Sequence, residues 1–275
     1  MRPPSGFPGG AFGKKPEPLR VKRMTIAAGM LCEGGIVFGA DTDESLGELR
    51  RRVNKIVEIC DPRAMITGAC LNAHLMDTAI ERIFDRLEGG DAKDKSAVEK
   101  ALGEIMVGLY AREFKVYPDQ SSTGMQLLVA VKPLNGNAVS AWSINGSAVR
   151  RMKPLEVVGC GELVRDVADN LYRWGIDMAT AKLAMVQLLA AAKKRVQYVG
   201  GESCVHYICH DGSCGKKTFR FSPETEDLYE YFISHGRQLM LATGTPAIGE
   251  DQFDEIAAKF IADLKWKQRR IEREF

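Results

Sequence analysis

Apolar positions along this chain fall into two rhythms. "MTIAAGMLCE" and "GIVFGADT" are nearly continuous apolar runs of strand length, and Glu33-Gly34-Gly35 between them predicts a hairpin. "NKIVEIC" and "RAMITGAC" predict a second strand pair, parted by Asp61-Pro62. The spacing then becomes helical. Leu75, Ile80, Ile83, Phe84 and Leu87 share one face of "NAHLMDTAIERIFDRL". A polar connector from Asp91 to Ser96 leads into "SAVEKALGEIMVGLYAREF", a second amphipathic helix. Ser96, with Glu99 three residues on, predicts its N-cap.

The second half repeats this logic. "MQLLVAVKP" and "AVSAWSI" predict strands around the turn Asn135-Gly136-Asn137, and "LEVVGCG" predicts another. "ELVRDVADNLYRWG" and "MATAKLAMVQLLAAAKKRVQ" predict helices. "CVHYICH" and "KKTFRF" predict a hairpin around Asp211-Gly212, and two further helices close the chain. Strands in runs, followed by helices in pairs, predict an α+β fold of two packed sheets with helix pairs outside. Residues 1–23, rich in Pro, Gly and Lys, predict a disordered extension or a mis-assigned start; residues 24–275 predict a single domain.

Composition narrows the classes. Hydrophobic residues make up 45% and charged residues 27% of 275, which is ordinary globular usage. A net charge of +2 gives no case for nucleic-acid binding, and no apolar run reaches the length of a membrane span. The first residues carry Arg2, Lys14, Lys15 and Arg20 without the apolar stretch of a secretory signal. Seven cysteines in a chain of this size predict free thiols in a reducing cytoplasm rather than a disulfide framework.

One constellation carries chemistry. Met24-Thr25, "GGIVFGADT" with Asp41, "NKIVEI" with Lys55, and "TGACLNAH" with Gly68 follow one another in fixed order. Together with "VVGCGELVRDVADNLYRWGIDMATAKLAMVQLLAAAKKRVQYVGG", this start resembles a proteasome β-type subunit, a family of N-terminal-nucleophile (Ntn) hydrolases. The resemblance spans roughly residues 24–210. It implies a proteasome-like four-layer αββα sandwich and a threonine-type peptidase, in which the hydroxyl of an N-terminal threonine cleaves amide bonds. It implies Thr25 as nucleophile, Asp41 and Lys55 as its orienting and charge-supplying partners, and Gly68 as oxyanion donor. Gly47 falls where the substrate peptide pairs, and Cys160 and Ser203 (or Ser121) fall where polar groups support the threonine amine. The implied partners are a peptide or protein substrate and copies of this chain in a homo-oligomeric ring or another self-assembly. The resemblance also admits an ATPase partner. It calls for no metal or organic cofactor, no nucleic acid and no membrane.

The residue types suit that chemistry. A threonine hydroxyl is a weak nucleophile and needs an adjacent base. A free α-amine, with an ordinary pKa of about 7.7–8.0, can accept its proton near neutral pH. A lysine supplies positive potential, and an aspartate pairs the lysine so that no lone ion is buried. A backbone N–H aimed at the oxyanion contributes about 3 kcal/mol in comparable acyl transfers.

The start of the chain leaves alternatives open. Removal of Met24 as initiator would expose Thr25. An intact extension would instead fit a non-catalytic, α-type-like structural or gating subunit. A small-substrate Ntn amidase is a third reading. The family pattern has Gly-Ser-Gly where this chain has Gly159-Cys160-Gly161, and polar residues where Val196 and Val199 stand. Cys204, His206, Cys209, His210 and Cys214 are zinc-ligand types, but without a paired C-x2-C they predict buried thiols and turn residues. "KWKQRRIER", broken by Glu272 and Glu274, predicts a solvated helix face.

Overall fold

The computed structural model describes residues 25–219 except 47–48, 61–62, 71, 117–123, 173–174 and 197–198, together with 262 and 266. The proposed extension, Met24, Gly47, Ser121 and nearly all of the basic tail and of the two closing helices lie outside the described residues.

The first hairpin forms as the apolar runs predict. Strands β1 (Ile26–Cys32) and β2 (Gly35–Asp41) pair antiparallel from Ala27↔Ala40 to Cys32↔Gly35. They occupy the middle of a five-stranded sheet. Its neighbours are β10 (Leu155–Gly159) beside β1, then β11 (Ser203–Cys209) and β12 (Cys214–Phe219) beyond β2. A second five-stranded sheet runs in the order β5 (Ile56–Ile59), β6 (Ala64–Cys70), β7 (Met125–Val131), β8 (Ser140–Asn145) and β9 (Ala148–Arg151). A small ribbon, β3 (Asp43–Leu46) with β4 (Leu49–Arg52), joins β2 to β5. All of these pairings are antiparallel.

Burial on both faces explains why β1 and β2 read as apolar runs rather than as alternation. Ile26, Ala28 and Met30 face one way, into a cluster with helix α4 (Met178–Arg195). Ala27, Ile36, Phe38 and Ala40 face the other sheet, against Ile56, Met65, Leu128 and Ala130. On its far face the second sheet packs against helices α1 (Ala73–Arg86) and α2 (Lys95–Val116) through Ala64, Ile66, Leu127 and Val129. Helix α4 comes very close to β2: a Cβ on Gly39 would lie 2.4 Å from the Cγ of Met185.

The expected α+β four-layer αββα sandwich is corrected by this architecture. The described residues form a mixed α/β, sheet-dominated fold of twelve strands and four α-helices. The helix expected from "ELVRDVADNLYRWG" shrinks to a 3-10 turn (Gly161–Val164) and the seven-residue α3 (Arg165–Leu171), so α4 is the main helical cover of the first sheet and no full helix pair forms there among the described residues. The physical reason lies in that segment: the α3 helix stops where Tyr172 turns to an extended backbone.

A second correction concerns the start of α2. Asp94, not Ser96, caps it: one Asp94 carboxylate oxygen accepts from the N–H groups of Ser96 (2.8 Å) and Ala97 (2.9 Å). Glu99 instead accepts from the indole of the fully buried Trp142 at 3.3 Å, tying α2 to β8. Asp94→Ala is therefore expected to lower stability by about 1 kcal/mol, whereas Ser96→Ala should change it by less than about 0.5 kcal/mol. Urea unfolding of the two variants checks this.

Candidate functional site

The site grows from the open end of the first hairpin. The β1–β2 register brings the start of β1 alongside Asp41, which terminates β2 and is fully buried. One Asp41 oxygen accepts from the Ile26 N–H at 3.1 Å and from the Thr25 hydroxyl at 2.9 Å. Lys55 arrives from the opposite sheet, just before β5, with only 7% of its side chain exposed. Its ammonium donates to Asp41 at 2.8 Å, to the Asp43 carbonyl at 2.5 Å and, in a very short contact, to the Thr25 hydroxyl oxygen. An ammonium has three donors, and here all three find oxygen.

The other side of Thr25 is held by the turn after β10. The Thr25 carbonyl accepts from the Cys160 N–H at 3.0 Å. Gly159 has φ +79°, and a Cβ there would lie 2.1 Å from the Thr25 carbonyl oxygen, so both conformation and space require glycine. The Gly159 N–H donates to the Gln126 side-chain oxygen on β7 at 2.9 Å, which fastens this turn to the second sheet.

Asp41 has further backing from the segment before β11. The Gly200 N–H lies 3.5 Å from its second oxygen. The Glu202 N–H donates to the Thr42 hydroxyl at 2.7 Å, and the Thr42 N–H donates to the Glu202 carbonyl at 3.0 Å. Ser203 stands opposite Asp41 in the β2–β11 ladder, fully buried, and its hydroxyl has no hydrogen-bond partner among the described residues.

Thr25, Asp41 and Lys55, chosen from sequence, thus meet in one hydrogen-bonded cluster. Gly68 follows Thr67, whose pair across the ladder is Ile56, the residue after Lys55. It is packed so tightly that a Cβ would lie 2.3 Å from the Gln126 carbonyl. Cys160 contributes its backbone N–H, while its thiol lies in the apolar cluster under α4. Burial pushes that thiol up to about 11, with the Asp41 carboxylate adding to the rise and Lys55 opposing it. Val196 and Val199 are buried in the same cluster and offer no polar group.

Sequence reasoning missed Gln126, the Asp43 carbonyl, the Gly200–Glu202 segment and Lys193. The first acts through an ordinary strand residue, and the backbone contacts depend on register, so neither leaves a motif. Lys193 sits on the last turn of α4 and donates to the Gly201 carbonyl at 2.6 Å.

The histidine and cysteine run is occupied elsewhere. His206 bridges the sheets to Glu58 at 2.5 Å and shares a face with Cys204 and Ile208. Its burial lowers its pKa against the opposing pull of that carboxylate. His210 accepts from the Val139 N–H, and Cys214 accepts from Arg63. Among the described residues no group of three or more His, Cys, Asp and Glu could hold a metal ion. No helix among them is long and apolar enough to cross a membrane.

The fold has counterparts among solved structures. A Gly-1 mutant of Anbu from Hyphomicrobium sp. strain MC1 superposes with a TM-score of 0.65 at 13% identity, covering 80% of this chain and 100% of that one. Anbu from Yersinia bercovieri, described as an ancestral beta-subunit, gives 0.65 at 11%, covering 82% and 100%. A structure of the helical assembly of the Anbu complex from Pseudomonas aeruginosa gives 0.64 at 13%, covering 82% and 99%. No protein-family model matches the sequence, and no curated protein does. The resemblance to a proteasome β-type subunit is corrected accordingly. The solved structures described above are Anbu proteins, and at 11–13% identity they share a fold with this chain and nothing finer.

The buried pair makes a stability prediction. Asp41→Ala would leave the Lys55 ammonium inside the protein without its counter-charge. It is expected to cost about 3–5 kcal/mol, and the double variant Asp41→Leu with Lys55→Met should recover most of that. Thermal and urea unfolding of the single and double variants test it.

Proposed function

We propose that this protein is an amide-bond hydrolase whose nucleophile is Thr25, acting from a chain that begins at that residue. The observation that carries this reading is the three-way contact of the Thr25 hydroxyl with Lys55 and Asp41 at the open end of the β1–β2 hairpin. The fold shared with Anbu, including a structure described as an ancestral beta-subunit, supports it.

The steps balance as follows. The Thr25 α-amine, neutral near its ordinary pKa of about 7.7–8.0, takes the hydroxyl proton as Oγ1 bonds to the amide carbon. The Lys55 ammonium stabilises the developing alkoxide, and Asp41 keeps that ammonium aimed and paired. The Gly68 N–H is the proposed donor to the oxyanion. When the tetrahedral intermediate collapses, the C–N bond breaks and the α-ammonium returns its proton to the leaving amine. An ester on Thr25 remains. Water, deprotonated by the same amine, attacks the ester and restores the hydroxyl. The proposed substrate is an extended peptide, which makes the activity a threonine-type peptidase.

The Pseudomonas aeruginosa structure is described as a helical assembly, and we extend self-association to this chain as part of the same proposal. A non-catalytic subunit is the competing reading, favoured by Val196 and Val199, which leave the amine less hydrogen bonding than the motif pattern implies.

A chain prepared to begin at Thr25 is expected to hydrolyse peptide substrates, with a rate that rises through about pH 7.7–8.0 as the amine loses its proton. Thr25→Ala should abolish the turnover, and Lys55→Met should lower it by a factor of about 100 or more. Turnover that survives Thr25→Ala would defeat the assignment; a correctly started, folded chain without turnover would favour the non-catalytic subunit.

A further inference from the structure

Lys193 is unlike the other basic residues closing α4. Lys194 and Arg195 are exposed, whereas Lys193 is half-buried and turns toward the hairpin end. Three features of the packing direct it there. Helix α4 runs over β2, with Met178 against Gly34 near one end and Met185 pressed into the space left by Gly39. The last turn of α4 therefore arrives beside the end of β2, where Asp41 sits. The Lys193 ammonium donates to the Gly201 carbonyl at 2.6 Å.

Gly201 is part of the backing of Asp41. It has φ +68°, and a Cβ on it would lie 2.2 Å from the Asp43 carboxylate and 2.6 Å from the Thr42 hydroxyl. On one side of it the Gly200 N–H faces Asp41, and on the other the Glu202 N–H bonds Thr42. The stretch from Gly200 to Glu202 is thus a flat strap laid over residues 41–43, and Lys193 holds its centre.

We propose that Lys193 is a positioning residue that pins the Gly200–Glu202 strap onto Asp41 and thereby fixes the Thr25–Lys55–Asp41 cluster. This inference rests on the hydrolase reading for its consequence, but not for the strap itself. The charges facing Lys193 fit the role. They are Asp41 from β2, Asp43 from β3 and Glu202 and Cys204 at the start of β11, and all of them favour its charged form. Burial outweighs them and lowers its pKa to about 8.

Between about 8 and the ordinary value of 10.5 the unfolded chain binds a proton at this lysine that the folded chain does not, so the folded state gains stability as pH rises through that window. Below about 8 both states are charged and the gain is absent.

The test uses the full chain prepared to begin at Thr25, with Lys193→Met, which keeps an aliphatic stem, and Lys193→Arg, which keeps the charge. Amide hydrogen exchange at Gly200 and Glu202 is expected to be about tenfold faster or more in Lys193→Met and near the wild-type rate in Lys193→Arg. kcat/KM should fall by about ten- to a hundredfold in Lys193→Met and be largely restored by Arg. The stability gain above pH 8 should be smaller than in the wild type in both variants, since neither titrates at position 193 there, while Lys182, whose pKa burial also lowers, still contributes. Unchanged exchange in Lys193→Met would overturn the proposal, and so would a loosened strap with undiminished turnover. Should the Met chain fail to fold, Lys193→Ala takes its place, and unchanged exchange at Gly200 and Glu202 in that chain would overturn the proposal. A loosened strap with no turnover in any chain, wild type included, would uphold the hold of Lys193 and defeat the hydrolase reading instead.

Discussion

The Lys55 ammonium organises the end of this molecule where the two sheets meet. It comes from the second sheet, and its three oxygen partners belong to the first sheet and to the ribbon that follows: the Thr25 hydroxyl, the Asp41 carboxylate and the Asp43 carbonyl. A buried charge of this kind is tolerated only when its partners are in place. The β1–β2 register, the all-apolar burial of β2 and the ribbon start at Asp43 are the means of putting them there. Chemistry and folding make the same demand at this point. The contacts that aim the ammonium at a threonine hydroxyl also keep it from being an unpaired ion inside the protein.

Around that centre the structure adds supports of different strength. Gly159 and Cys160 hold the backbone of Thr25, and Gln126 ties their turn to the second sheet. The Gly200–Glu202 strap backs Asp41 from the far side. Val196 and Val199, on the way to this strap, are buried in the apolar cluster under α4 and add no hydrogen bond to it. The Ser203 hydroxyl, opposite Asp41 in the ladder, is buried and has no hydrogen-bond partner among the described residues.

Much of this was legible in the sequence because it depends on local rhythm. The first hairpin, the second pair of strands, α1, α4 and the last hairpin follow directly from apolar spacing and turn residues, and Thr25, Asp41 and Lys55, picked out by their order, are residues that the fold brings into contact. What escaped depends on contacts between distant segments. The β3–β4 ribbon lies in "DESLGELRRR", whose charges hide any strand alternation, and the four-residue β9 is too short for periodicity to register. Asp94 outcompeted Ser96 as a cap because its longer carboxylate reaches two N–H groups at once. Gln126 and Lys193 read as a strand residue and a helix-end charge until the sheets and α4 bring them to Thr25 and Asp41. The αββα layering and the proteasome β-type likeness both reached past what spacing supports.

In the proposed reaction the Thr25 hydroxyl, activated by its own amine and by Lys55, is the reactive group. Its most direct test is to treat a chain beginning at Thr25 with an electrophile directed at N-terminal threonines and to locate the adduct by mass spectrometry. A single adduct on Thr25 is expected, formed slowly or not at all when Lys55 is replaced by Met. An adduct on one of the cysteines instead, or none on a folded chain shown to begin at Thr25, would contradict it.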